Sequence, residues 1–141
     1  MGITLIVSSP FLRAQQTAET IAGELSIDLA HIQILDELRE RSLGSVEGKP
    51  KEHDSSWYYE DHTTIEGLET RQALFNRMKV AIEKIKVLSK SNKILVTGHA
   101  ISGYFLLQVA AGKTLEESTM LSSEVANADY VVVNFEPTRP Q

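Results

Sequence analysis

Cysteine is absent from this 141-residue chain. Its absence excludes a disulfide framework, a thiolate metal site and a thiol nucleophile, and it suits a reducing compartment, so a cytoplasmic protein is expected. Basic charge is also scarce: 14 Lys and Arg stand against 19 Asp and Glu, a formal net charge of -5. That balance lacks the basic footprint selected by duplex nucleic acid or an anionic membrane, so neither is an expected partner. No apolar run approaches the roughly 20 residues of a membrane span. The first residues do not pair a charged region with an apolar stretch of signal-peptide type. No repeat, low-complexity tract or internal linker interrupts the chain. With 42% hydrophobic residues, a single domain over residues 1–141 is expected, burying roughly two thirds of its unfolded surface.

What remains is a series of short apolar runs, each stopped by small residues and followed by helical periodicity. Residues 3–7 read as a buried strand closed by Ser8-Ser9-Pro10, with Ser9 placed to cap a helix and Pro10 at its first position. Ala14, Ala18, Ile21, Ala22 and Leu25 then recur on one face. Arg13 falls in the first turn, where the macrodipole disfavours a cation by about 0.3–1 kcal/mol. It either has an anion beside it or lies solvated with its stem over the core. Residues 31–48 open as a short strand and become a charged loop in which Glu40 stands between Arg39 and Arg41, an arrangement that fits a solvated ion-pair cluster as well as a site. Residues 49–66, with Trp57, Tyr58 and Tyr59, have the composition of a lid or rim. His31, His53 and His62 match no metal-binding spacing.

The longest helix is predicted over residues 67–90, striped by Leu74, Met78, Ala81, Ile82, Ile85 and Leu88, and Glu69 near its start suits the dipole without any further role. The apolar run 94–97 then breaks at Gly98-His99, and residues 100–111 form a helix apolar almost all round. Residues 130–135 predict a final strand. The alternation of strands and helices predicts an α/β fold of three layers, a mostly parallel open sheet with helices on both faces. In such a sheet Ser8-Ser9 and Gly98-His99 share the edge at the strands' carboxyl ends, so Arg13 and His99 converge on one crevice. Two helix N-termini beside an arginine and a histidine offer free N–H groups to a phosphate. Taken alone, His99 also fits a first-turn histidine bonded to backbone.

At this level of detail the chain resembles the histidine phosphatase superfamily, the phosphoglycerate-mutase-like group of phosphoryl-transfer enzymes. Residues 8–19, Ser-Ser-Pro-Phe-Leu-Arg-Ala-Gln-Gln-Thr-Ala-Glu, resemble a phosphate-pocket motif, and residues 38–48 resemble the family's acid-bearing loop. Gly67-Leu68-Glu69 is similar to a Gly-Glu element before the long helix, and Gly98-His99-Ala100 to the second-histidine motif. The resemblance implies that Arg13 binds phosphoryl oxygens, that His99 stabilises the transferring group, that Glu40 donates a proton to the leaving alcohol and that Glu69 is a secondary acid of the phosphate pocket. It implies no metal and no cofactor, and a small phosphorylated substrate or inorganic phosphate as ligand.

The same resemblance implies a first strand ending in Arg-His-Gly, whose histidine is the nucleophile, and no Arg-His-Gly occurs in this chain. A strand-loop-helix unit of roughly 30 residues is therefore expected to be missing before Met1. The expectation is a phosphomonoester hydrolase by type whose 141 residues are inactive or nearly so, since removing one member of a catalytic unit costs most of the rate. A non-catalytic protein that binds phosphate or a partner is the alternative, and a mutase-type phosphotransferase a second one. The short excursion at 49–66 favours hydrolysis over mutase chemistry. Loss of a central strand would leave unpaired sheet edges and favour self-association. There is no P-loop and no Gly-x-Gly-x-x-Gly, and Ser102 stands at the wrong place for a nucleophile elbow.

Overall fold

Adjacent residues of the first strand point into different cores, and that alternation builds the layers. The computed structural model describes residues 2–49, 60–119 and 130–135. Strand β1 (Leu5–Ser8) turns through Ser9 and Pro10 into helix α1 (Leu12–Glu24), and β2 (Ile32–Ile34) follows. Helix α2 (Arg71–Ser89), β3 (Ile94–Thr97) and α3 (Ala100–Ala110) come after the loop region. The sheet order is β2-β1-β3, and both pairings are parallel. Ile6 packs with Ala18 and Ala22 of α1, whereas Val7 packs with Ala81 and Ile85 of α2 on the opposite face. One helix therefore covers one face and one the other, the α/β/α arrangement expected of a parallel sheet.

Helix α1 approaches closely because its buried positions Ala14, Ala18 and Ala22 are all alanine, spaced by one turn. Helix α3 packs on α2 through Leu74, Phe75, Met78, Ile101, Tyr104 and Phe105, with Leu43 from the loop completing the cluster. Burying a side chain such as Leu74 fully contributes about 1.5–3 kcal/mol. No helix among the described residues is long and apolar enough to cross a membrane.

Several predicted boundaries move. Ser9 does not open α1 as its cap, and Pro10 does not fill its first position; Phe11 is the cap residue, two positions later. Helix α2 starts at Arg71 rather than near residue 67, because Thr70 accepts a hydrogen bond from the Ala73 N–H and ends the preceding loop. Residues 130–135 form no strand. A strand needs a hydrogen-bonded neighbour, and no described segment pairs with this one, so its β-rich composition has nothing to act on. Residues 50–59, including most of the expected lid, lie outside the described residues.

The acid-bearing loop is held against the approach to α2. Leu43 bridges Leu68 antiparallel, the Ser45 N–H donates to the Glu66 carbonyl at 2.8 Å and the Glu69 N–H to the Ser42 carbonyl at 2.9 Å. Gly44 makes this possible: its φ is +57°, and a Cβ there would stand 2.1 Å from the Glu66 carbonyl oxygen.

Candidate functional site

Parallel pairing of β1 with β3 sets Ser8 opposite Thr97, and the Ser9 N–H extends the ladder by donating to the Thr97 carbonyl at 3.1 Å. The two chains then leave the sheet side by side. His99, extended at φ -135° and ψ 165°, is the N-cap residue of α3, and its Nε2 lies 2.7 Å from Ser9 Oγ. Ser9 Oγ also accepts from the Phe11 N–H at 3.2 Å. A hydroxyl with one hydrogen and two lone pairs serves either imidazole tautomer in that position. Ser9 is fully buried and His99 half-buried at the rim of the sheet edge.

Phe11 fills the space between the two residues singled out as phosphate ligands. Its ring centroid is 5.1 Å from that of His99, and the Arg13 guanidinium sits over the same ring at 5.1 Å. Arg13 is exposed in the first turn of α1, as the sequence predicted, and its charge reaches His99. Burial holds the His99 imidazole below its ordinary range; Glu40 opposes that depression, while Arg13 and Arg77 add to it. The imidazole is thus biased toward its neutral form.

Glu40 departs from a simple surface ion pair. One carboxylate oxygen, Oε2, accepts from the Ile101 N–H at 3.0 Å, and Oε1 accepts from the Ser102 N–H at 2.7 Å and from its neighbour Arg41 N–H at 2.8 Å. The first-turn amides of α3, expected to stand free for a phosphate, are therefore engaged by an internal carboxylate. An acidic side chain satisfies orphan N–H groups and suits the positive end of the helix. Glu40 consequently lies beside the first turn of α3 next to His99, at the carboxyl edge of the sheet from which Arg13 also leaves.

Glu69 is held by Arg77. Both its carboxylate oxygens pair with Arg77, at 2.7 and 3.0 Å, and Oε1 also accepts from the Ser42 N–H at 3.2 Å. Among the described residues no hydrogen bond joins it to Arg13 or His99. Sequence reasoning missed Ser9 as the partner of His99, gave Phe11 and Arg77 no role, and placed Arg41 in a solvated cluster although it is buried. No group of three His, Asp or Glu among the described residues is placed to hold a metal ion.

A family model for the histidine phosphatase superfamily (branch 1) matches residues 1–141. The chain belongs to that superfamily. Among histidine phosphatase relatives, the uncharacterized phosphatase PhoE of Bacillus subtilis (strain 168) is 26% identical over 128 residues, 89% of this chain and 64% of PhoE. The chain thus spans less than two thirds of that relative's length. Its fold is similar to Bacillus stearothermophilus YhfR, with a TM-score of 0.66 at 21% identity, covering 96% of this chain and 75% of YhfR. It is also similar to mycobacterial glucosyl-3-phosphoglycerate phosphatase in complex with inorganic phosphate, with a TM-score of 0.64 at 18% identity, covering 81% of this chain and 61% of that one. The sheet edge bearing Arg13 and His99 therefore belongs to a histidine phosphatase fold.

Proposed function

We propose that this chain carries the phosphoryl-binding half of a phosphomonoester hydrolase of the histidine phosphatase type. The observation that supports it most is the convergence of Arg13, His99 and Glu40, from three separate segments, on the carboxyl edge of a parallel sheet. Arg13 would pair with phosphoryl oxygens, and the His99 ring, oriented by Ser9, would face charge as it builds on the transferring group. Glu40, seated on the first turn of α3 beside His99, would serve the leaving alcohol.

With no Arg-His-Gly in the sequence, the chain offers no histidine in nucleophile position, so the 141 residues alone bind phosphate or a small phosphorylated ligand with little or no turnover. The absence of cysteine and of a basic footprint favours a cytoplasmic setting and a small-molecule ligand over a nucleic acid or a membrane. Hydrolysis is preferred to mutase chemistry on the short 49–66 excursion.

Titration calorimetry with orthophosphate, and with tungstate as an oxyanion probe, tests the binding half. Saturable binding weakened about tenfold or more by Arg13→Ala supports it, since a charge-assisted hydrogen bond contributes about 1.5–3 kcal/mol. No binding to the unaltered chain overturns it. An aryl phosphate assay decides the other half: hydrolysis abolished by His99→Ala would overturn the claim of little turnover.

A further inference from the structure

We propose that Arg77 is a positioning residue that, clamped by Glu69, seats Glu40 on the N-terminus of α3. The assignment of Glu40 to the phosphoryl site rests on the function proposed above; the clamp itself does not.

Glu40 lies in a stretch without helix or strand, yet its carboxylate makes three hydrogen bonds to backbone N–H groups from two parts of the chain. Such bonds persist only where the backbone on either side is fixed. Arg77 Nη1 donates to the carbonyls of Glu37 and Arg39, each at 2.7 Å, and so holds the segment entering Glu40. Arg77 Nε and Nη2 grip the Glu69 carboxylate, which in turn accepts from the Ser42 N–H on the leaving side. Arg41, almost fully buried, donates Nε–H to the Glu69 carbonyl at 2.8 Å and Nη2–H to Asp61 at 3.2 Å. Both sequence neighbours of Glu40 are therefore tied to the same pair.

The choice of residue types supports positioning over bulk stability. A buried ion pair offsets its Coulomb attraction with desolvation, and an apolar pair of equal volume often does as well for stability. The planar fork of arginine, by contrast, addresses two carbonyls and a carboxylate at once in fixed directions, which a lysine cannot reproduce. Two bonds from Arg77 hold the 37–39 backbone directly, and two more fix the Glu69 carboxylate that accepts from the Ser42 N–H.

Native-state hydrogen exchange reads this directly. The amides of Ile101 and Ser102 lie in the first turn of α3 and have no intrahelical acceptor, so Glu40 provides their protection. The Gly103 amide bonds the His99 carbonyl and serves as an internal reference. Arg77→Lys is expected to speed exchange at Ile101 and Ser102 by about tenfold or more, as Glu40→Gln does, with Gly103 unchanged. Adding Arg77→Lys to Glu40→Gln should produce no further increase. Glu69→Gln, which keeps the side-chain shape, should act in the same direction and serves if Arg77→Lys does not fold. Wild-type exchange at both amides in these variants, or equal acceleration that includes Gly103, overturns the proposal. Failure of orthophosphate to bind the unaltered chain would remove the functional reading and leave this measurement valid.

Discussion

Ser9 Oγ meets His99 Nε2 at 2.7 Å although the two residues are 90 positions apart. The contact exists because β1 and β3 run parallel and in register, so their carboxyl ends leave the sheet together. One end contributes the hydroxyl and the other the imidazole, and the Phe11 ring packs against the imidazole. The ring orientation at this edge is thus a consequence of strand pairing.

Replacing Ser9 by alanine should loosen that edge. The change removes the His99 partner and the acceptor of the Phe11 N–H from a fully buried position. A loss of about 1–3 kcal/mol in urea unfolding is expected, with orthophosphate affinity reduced as the ring loses its orientation. Unchanged stability and affinity would show that Ser9 does not orient His99.

The depression of His99 gives stability a sign with pH. Its folded-state affinity for a proton is lowered, chiefly by burial, relative to the ordinary value of 6.5. Below about pH 6.5 the unfolded chain binds the proton more readily, so the contribution is complete above that value and is lost as pH falls through the range beneath it. Melting temperature should therefore drop more steeply between pH 7 and pH 5 for the unaltered chain than for His99→Gln. Parallel profiles would contradict the burial of the imidazole.

Gly44→Ala should release the loop that carries Glu40. A Cβ at φ +57° collides with backbone at Glu66 and Gly67, neither of which is the end of a flexible side chain. Destabilisation above about 2 kcal/mol is expected from strain and overlap together, with faster exchange at the Ser45 amide. A neutral effect would mean that segments 42–45 and 66–69 are not held as described.

Strand β3 is an end strand of the sheet among the described residues, and Val96 on it is 36% exposed. We expect the chain to self-associate through such an edge, with Val96→Lys shifting it toward monomer in sedimentation velocity, since a lysine blunts strand addition. A monodisperse monomer at all concentrations, with or without the substitution, would remove this expectation.

Much of the frame was legible in the residues. The apolar runs at β1 and β3, the alanine stripe of α1 and the apolar faces of α2 and α3 record burial directly, because periodicity is a local property. The sharing of one sheet edge by Arg13 and His99 followed from two strand-to-helix junctions in a parallel sheet. Other features depended on which segments meet. Residues 130–135 have strand composition but no described strand to pair with, and Ser9 serves His99 rather than capping α1.

Chain order and residue type determined the α/β layering, the identity of the junctions and the presence of Arg13, His99 and Glu69 near helix starts. Tertiary structure alone decided that Glu40, 61 residues before Ile101, satisfies the first turn of α3, and that Glu69 turns to Arg77. The physical reason is that a carboxylate takes whichever N–H or guanidinium donors folding brings within about 3 Å, and distant donors carry no local pattern.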